Sequence, residues 1–163
     1  MGRPRFPITA AVRWLRSKGI DFKPFLYTYT AHGGARQAAE ALRLDEHRVI
    51  KTLVMATDGA SLLLVLMHGD QDVSTQRLAR LIGAKRVHPV QPEQALQATG
   101  YHVGGISPFG IRKNLPIFVQ TTILHLLTIY INGGKRGFLI ELEPAVLVET
   151  LRAVPVDVAN AAA

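Results

Sequence analysis

Two apolar runs on either side of Asp58-Gly59 constrain this chain more than any other feature. Val49-Ile50-Lys51-Thr52-Leu53-Val54-Met55-Ala56 precedes the pair and Ser61-Leu62-Leu63-Leu64-Val65-Leu66-Met67 comes after it. Asp-Gly suits the tight turn of a β-hairpin, whose central residues need positive φ, so the two runs are expected to pair antiparallel. Apolar residues on both alternations of the first run imply a strand covered on both faces. Lys51 breaks that run. A lysine there must snorkel to water, meet an anion, or give up its proton through desolvation.

The rest of the chain supplies covering elements. Thr9 is placed to cap a first helix with Ile8, Val12 and Leu15 inward and Gly19 at its end. Phe25 to Thr30 alternates aromatic and hydroxyl residues and reads as a strand, and Arg36 to Leu44 as a helix. Ser74 caps a helix over Thr75 to Ile82 that Gly83 closes. A short strand around Arg86-Val87-His88 and a short helix from Pro92 to Ala98 lead into an irregular stretch, Gly100 to Gly110. Strands are expected at Pro116 to Val119, Leu127 to Ile131 and Gly137 to Glu141, the last two joined by a turn at Asn132-Gly133-Gly134. Pro144 opens a last helix to about Arg152, Val154 to Val158 adds an edge strand, and Ala159 to Ala163 frays. Strands outnumber helices without alternating with them. The expectation is an α+β fold with a mixed, barrel-like β-sheet flanked by helices. The 163 residues suit one domain with its core over about 9–151.

Composition narrows the function. A hydrophobic share of 48% places the chain among ordered globular proteins. The lack of cysteine excludes disulfides, catalysis by a protein thiolate and Cys-ligated zinc, and it fits a cytoplasmic setting. Met1-Gly2-Arg3-Pro4-Arg5 is basic, but Arg13 and Arg16 interrupt the stretch up to Lys18, so no leader peptide is expected. Phe6 stands where a myristoylation signal needs Ser or Thr. No stretch approaches roughly 18 uncharged apolar residues, so no membrane partner is expected. Nineteen Lys and Arg against twelve Asp and Glu give a net charge of +7 and a pI near 10.1, which favours an anionic partner such as nucleic acid. The positive charge is clustered: Arg3, Arg5, Arg13, Arg16, Lys18 and Lys23; then Arg77, Arg80, Lys85 and Arg86; then the pairs Arg112-Lys113 and Lys135-Arg136. A merely solvated basic surface would have the same composition.

Most catalytic patterns fail. The six histidines, His32, His47, His68, His88, His102 and His125, show neither i, i+4 pairing nor His-Glu-x-x-His, so no metal or other cofactor is expected. Gly105-Ile106-Ser107-Pro108-Phe109 misses the nucleophile elbow because Phe109 occupies the last glycine position. Gly133-Gly134-Lys135-Arg136-Gly137 lacks the spacing and the Lys-Ser/Thr pair of a phosphate loop. What remains is backbone chemistry. The Gly104 to Gly110 stretch, with three glycines and a proline, lets main-chain groups approach a ligand and hold an oxyanion without a catalytic side chain; an ordinary tight turn would read the same.

Three segments in register carry a resemblance. Val49-Ile50-Lys51-Thr52-Leu53-Val54, Gly100-Tyr101-x-x-Gly104-Gly105-Ile106-Ser107-Pro108-x-Gly110 and Thr128-Ile129-Tyr130-Ile131-Asn132-Gly133-Gly134-Lys135-Arg136-Gly137 resemble the YbaK family, free-standing relatives of the prolyl-tRNA synthetase editing domain. The similarity runs in order from about Thr9 to Leu151. It implies an aminoacyl-tRNA deacylase that hydrolyses the ester of mischarged tRNA, typically tRNA for proline, on a mixed, barrel-like sheet without a metal. It implies Lys51 as the key polar side chain and Gly104 as the backbone contributor to the reacting centre. Tyr29 falls near the place of a pocket tyrosine. Thr52, Gly105, Ile106, Ser107, Pro108, Asn132, Gly133 and Gly134 complete the implied substrate-binding set. The basic side chains expected to meet the acceptor end of the tRNA are Arg13, Arg16, Lys18, Arg112, Lys113, Lys135 and Arg136, with prolyl-tRNA synthetase or another synthetase as a docking partner.

Three departures bear on the amino acid removed. Asn132 stands where cysteine-specific members commonly have Ser, Leu139 where they have Asp two residues beyond the last glycine, and Gln120 where an Asp follows the Phe118-Val119 strand. Cysteine, serine, threonine and alanine all stay open. A non-catalytic tRNA-binding or synthetase-interacting module would share the charge and the fold. A Schiff-base enzyme would need Lys51 as the free amine.

Overall fold

The computed structural model describes residues 5–161. Arg3 of the first basic cluster, the Met1 to Pro4 reading, and Ala162 and Ala163 lie outside them. Five helices occur among the described residues: α1 (Ala10–Ser17), α2 (Gly34–Leu42), α3 (Thr75–Ile82), α4 (Pro92–Thr99) and α5 (Ala145–Glu149). Ten strands accompany them: β1 (Lys23–Leu26), β2 (Val49–Thr57), β3 (Leu62–His68), β4 (Gln71–Val73), β5 (Val87–Pro89), β6 (Ile117–Gln120), β7 (Ile129–Lys135), β8 (Phe138–Leu142), β9 (Val154–Val156) and β10 (Ala159–Ala161).

The main sheet runs β1-β8-β7-β2-β3-β6-β9, with β5 also on β2, while β4 and β10 form a separate pair. It is mixed: β2/β7, β3/β6 and β6/β9 are parallel and the other pairs antiparallel. The α+β class and mixed sheet hold, but the barrel-like sheet does not close, since β1 and β9 are its two ends. The opening hairpin pairs as expected, Ile50 with His68 through to Ala56 with Leu62, but its turn is longer than a two-residue one and the positive φ (+62°) falls on Ala60 rather than on Asp58 or Gly59.

Alternation along β2 divides the core. Ile50 and Val54 face a cluster with Leu64, Leu66, Ile106, Phe109, Ile131 and Phe138. On the other face Met55 joins Val65, Met67 and Leu78, and Val49 joins Tyr130, Leu139, Ala38 and Ala39. Lys51 lies on this second face, between Val49 and Leu53.

Local signals account for the helices. Thr9 accepts the Val12 N–H at the start of α1, and Gly19 follows its end at φ +67°, allowing Ile20 N–H to reach Leu15 C=O. Ser74 and Gly83 close α3 in the same way. Ile8, expected inward, is exposed instead because it precedes the helix.

Four further expectations change. The strand read over Phe25 to Thr30 is β1, Lys23–Leu26; after Tyr27 N–H bonds Gly137 C=O, the chain peels away from β8. Asn132-Gly133-Gly134 is not the reversal but the end of β7, carrying a bulge between Asn132 and Lys135, and the chain turns at Arg136-Gly137. Ala159–Ala161 is ordered as β10 against β4. The last helix ends at Glu149.

Candidate functional site

The irregular stretch after α4 folds into a loop with a buried half and an exposed tip. Ile106, Ser107, Pro108 and Phe109 are buried, whereas Gly104 is exposed. Phe109 anchors it, packing on Trp14 at a ring distance of 5.5 Å and accepting the Tyr101 hydroxyl on its carbonyl. Burial raises the Tyr101 pKa to about 12, so the phenol stays a donor. Ser107 Oγ accepts the Phe109 N–H within the loop, which turns that hydroxyl away from solvent and from any nucleophilic role.

Gly104 has φ +92°, and a Cβ there would stand 2.7 Å from the Tyr29 hydroxyl. Only glycine fits both constraints. The Arg136 guanidinium lies 5.3 Å from the Tyr29 ring centre and donates to Val103 C=O at 2.9 Å. Asn132 Nδ2 donates to Gly104 C=O at 3.1 Å, while its Oδ1 accepts the N–H groups of Gly134 (2.7 Å) and Lys135 (3.1 Å). Gly105 N–H bonds His102 C=O. Among the described residues the Gly104 N–H makes no hydrogen bond within the protein.

Gly133 and Gly134 are required by packing: an added Cβ would overlap the Phe138 ring at the first and stand 2.8 Å from the Tyr101 ring at the second. Thr9, expected only as a helix cap, also donates to Gly133 C=O and ties α1 to the bulge.

Register places Lys51 on the strand next to the one that carries the bulge. The parallel ladder between β2 and β7 pairs Val49 with Tyr130 and Ile50 with Ile131, and the next residues along the two strands are Lys51 and Asn132. Both continue the face of Val49 and Tyr130. The Lys51 amine donates to Gln71 C=O at 2.5 Å and lies 3.4 Å from the Asp72 carboxylate. Of the three outcomes open to a strand lysine, the structure therefore has it meeting an anion. Gln71 and Asp72 escape a reading by pattern because a strand as short as β4 carries little periodicity; the signal present is Gly69-Asp70, which reverses the chain beside Lys51.

Thr52 is not part of this grouping. It pairs with Leu66 on the opposite face of β2, where its hydroxyl is buried without a partner among the described residues. Leu139, at the departure from a carboxylate, packs against Val49 and Tyr130. Gln120 lies away from the loop, where its carboxamide holds Val158 N–H and Asp157.

Beside the loop is a cavity of about 240 Å³ lined by Gly100, Tyr101, His102, Gly105, Gly134, Lys135 and Arg136. Arg112 lies against Gly100, and the charge of Arg13 acts on Tyr101. Arg13, Arg112, Lys135 and Arg136 are thus gathered around one side of the loop. Arg16 instead lies over the Phe6 ring and Lys18 over the Trp14 ring, and Lys113 is exposed beyond Arg112.

The described residues contain one grouping of metal-ligand type, His47, His68 and Asp70, with ligand atoms within 4.8 Å of one another. The two rings stack at 3.6 Å and 7°, so their in-plane lone pairs run parallel rather than converging on an ion. His68 is also fully engaged: its Nδ1 donates to His47 C=O and its Nε2 accepts from Thr122 Oγ1, a tautomer assigned from the partners. Burial, the largest cause, lowers its pKa from 6.5; His47 adds to the lowering, whereas the His47 carbonyl, Asp70 and Asp45 oppose it. Protonation is then more favourable in the unfolded chain than in the folded one. Full stability is expected above about pH 6.5, with loss as pH falls towards and through the folded-state value. Thermal melts should show this slope in wild type and a shallower one in His68→Gln; equal slopes would contradict it.

Comparison with known proteins places the chain in a family. Residues 32–150 match the family model described as "Aminoacyl-tRNA editing domain". The chain is 29% identical over 137 residues to an Enterococcus faecalis protein named "Putative Cys-tRNA(Pro)/Cys-tRNA(Cys) deacylase EbsC", covering 83% of this chain and 84% of that one. It is 28% identical over 102 residues to the proline--tRNA ligase of Ligilactobacillus salivarius, a match spanning 63% of this chain and 18% of the ligase. In fold it resembles the crystal structure of "a putative trans-editing enzyme for prolyl tRNA synthetase", with TM-score 0.81, 23% identity and coverage of 93% and 97% of the two chains. With a family model matched over residues 32–150, most of its length, the chain belongs to the aminoacyl-tRNA editing domain family.

Proposed function

We propose that the protein is a trans-editing aminoacyl-tRNA deacylase acting on tRNA for proline that carries a small non-cognate residue: alanine, cysteine, serine or threonine. The observation that carries this reading is the N–H of the exposed Gly104, without a partner among the described residues while the peptides around it are held. Such a donor is suited to the oxyanion that develops when an ester carbonyl is attacked.

In the proposed reaction a water oxygen adds to the ester carbonyl carbon, and the electron pair moves to the carbonyl oxygen facing Gly104. Collapse breaks the bond to the ribose oxygen. That oxygen takes a proton originating from the water, and the amino acid leaves as its carboxylic acid, which then ionises. Lys51 acts as a positive anchor for the terminal nucleotide or the aminoacyl end. No protein nucleophile is required, which agrees with the buried and engaged Ser107. Arg13, Arg112, Lys135 and Arg136 bind the acceptor end through phosphates, with Arg16, Lys18 and Lys113 extending the basic surface. A prolyl-tRNA synthetase is the proposed protein partner.

The test is a deacylation panel: tRNA for proline charged with alanine, cysteine, serine or threonine, at fixed salt. The reading expects release from at least one of them well above spontaneous hydrolysis. Salt-dependent tRNA binding with no release from any would leave only the non-catalytic module.

A further inference from the structure

The geometry points to Asn132 as a positioning residue that sets the Gly104 peptide for the reaction through its side-chain amide. This rests on the deacylase reading. The Val103 carbonyl is held by Arg136, the Gly104 carbonyl by Asn132 Nδ2, and the Gly105 N–H by His102 C=O. Both polar ends of the Gly104–Gly105 peptide are therefore fixed, and the preceding peptide is fixed at its carbonyl. What remains is the Gly104 N–H, whose direction is set by its neighbours.

Asn132 is the one member of this set that bonds two separate segments. Its Oδ1 closes the bulge through Gly134 and Lys135 while its Nδ2 reaches across to the loop. It also follows Ile131 at the point where Lys51 follows Ile50 on the paired strand. One carboxamide thus ties the β7 bulge, on the strand that pairs with the lysine strand, to the glycine loop. An acceptor-only side chain of the same shape would keep the bulge and repel the Gly104 carbonyl.

Asn132→Asp makes that change almost isosterically. Purified wild type and variant should be compared on the panel substrate that wild type hydrolyses fastest. Near neutral pH, kcat should fall about 10- to 100-fold, the scale of a small misplacement at a reacting centre, with KM for the charged tRNA within about two-fold. The variant-to-wild-type ratio should then recover as pH falls towards the carboxyl range near about 4, because a protonated carboxyl can again donate to Gly104. If Asn132→Asp does not fold, Asn132→Ala should show the same fall in kcat at unchanged KM, without the recovery. Wild-type kcat in whichever variant folds would overturn the inference, as would a loss in Asn132→Asp whose ratio to wild type is flat with pH. These outcomes are separable from failure of the deacylase reading, in which wild type itself releases nothing.

Discussion

Lys51→Ala is expected to lower kcat/KM for mischarged tRNA by roughly 100- to 1000-fold, the scale on which removal of a single electrostatic contact to a transition state is felt. The reason is position. Lys51 is a cation in an otherwise apolar run, on the β2 face that continues through Asn132 to the glycine loop. Its amine meets only Gln71 C=O and the exposed Asp72 among the described residues, contacts that a ligand anion can exchange for its own. Lys51→Met keeps most of the stem and should lose nearly as much activity, with a small change in Tm because the ion pair is open to water. Initial rates and thermal melts on the two variants check this. Near-wild-type hydrolysis by Lys51→Met would remove the lysine from the mechanism.

Gly104→Ala should be comparably damaging for a different reason. At φ +92° an alanine costs about 1–2 kcal/mol, and its methyl would stand 2.7 Å from the Tyr29 hydroxyl and 3.0 Å from the ring. Either Tyr29 or the loop must move, and displacement of the Gly104 N–H is expected to cost about 100-fold in kcat. Adding Tyr29→Leu relieves the clash but not the strain, so the double variant should regain part of the lost Tm and little of the activity. A Gly104→Ala protein with wild-type kcat would show that the loop backbone does not face the reaction.

Much of the fold is legible in the sequence because its signals are local. Asp58-Gly59 places the β2–β3 hairpin, and Ser74 with Gly83 places both ends of α3. Glycine is harder to interpret. Asn132-Gly133-Gly134 has the composition of a turn, yet its glycines answer to the Phe138 and Tyr101 rings packed against them, and the chain reverses two residues later. Tyr29 lies in a segment that alternates like a strand but leaves the sheet, which is how its hydroxyl reaches Gly104.

Long-range pairings leave no trace in the sequence. β4 and β10 are three residues each and lie more than eighty positions apart, so neither the ordered chain end nor the Asp72 contact to Lys51 can be read from periodicity. Thr52 shows the opposite error: it sits inside a recognisable motif, but strand alternation turns it to the far side of β2.

In the proposed reaction a strand lysine and a glycine-loop backbone act together on the ester of mischarged tRNA. The sharpest measurement of this is the first-order release of amino acid from tRNA for proline, charged in parallel with proline and with each small non-cognate residue, by wild type and Lys51→Met. Rapid release of at least one non-cognate residue by wild type is expected, with proline retained and near-spontaneous rates for Lys51→Met. Release at equal rates by both proteins, or by neither above the spontaneous rate, would contradict the proposed mechanism.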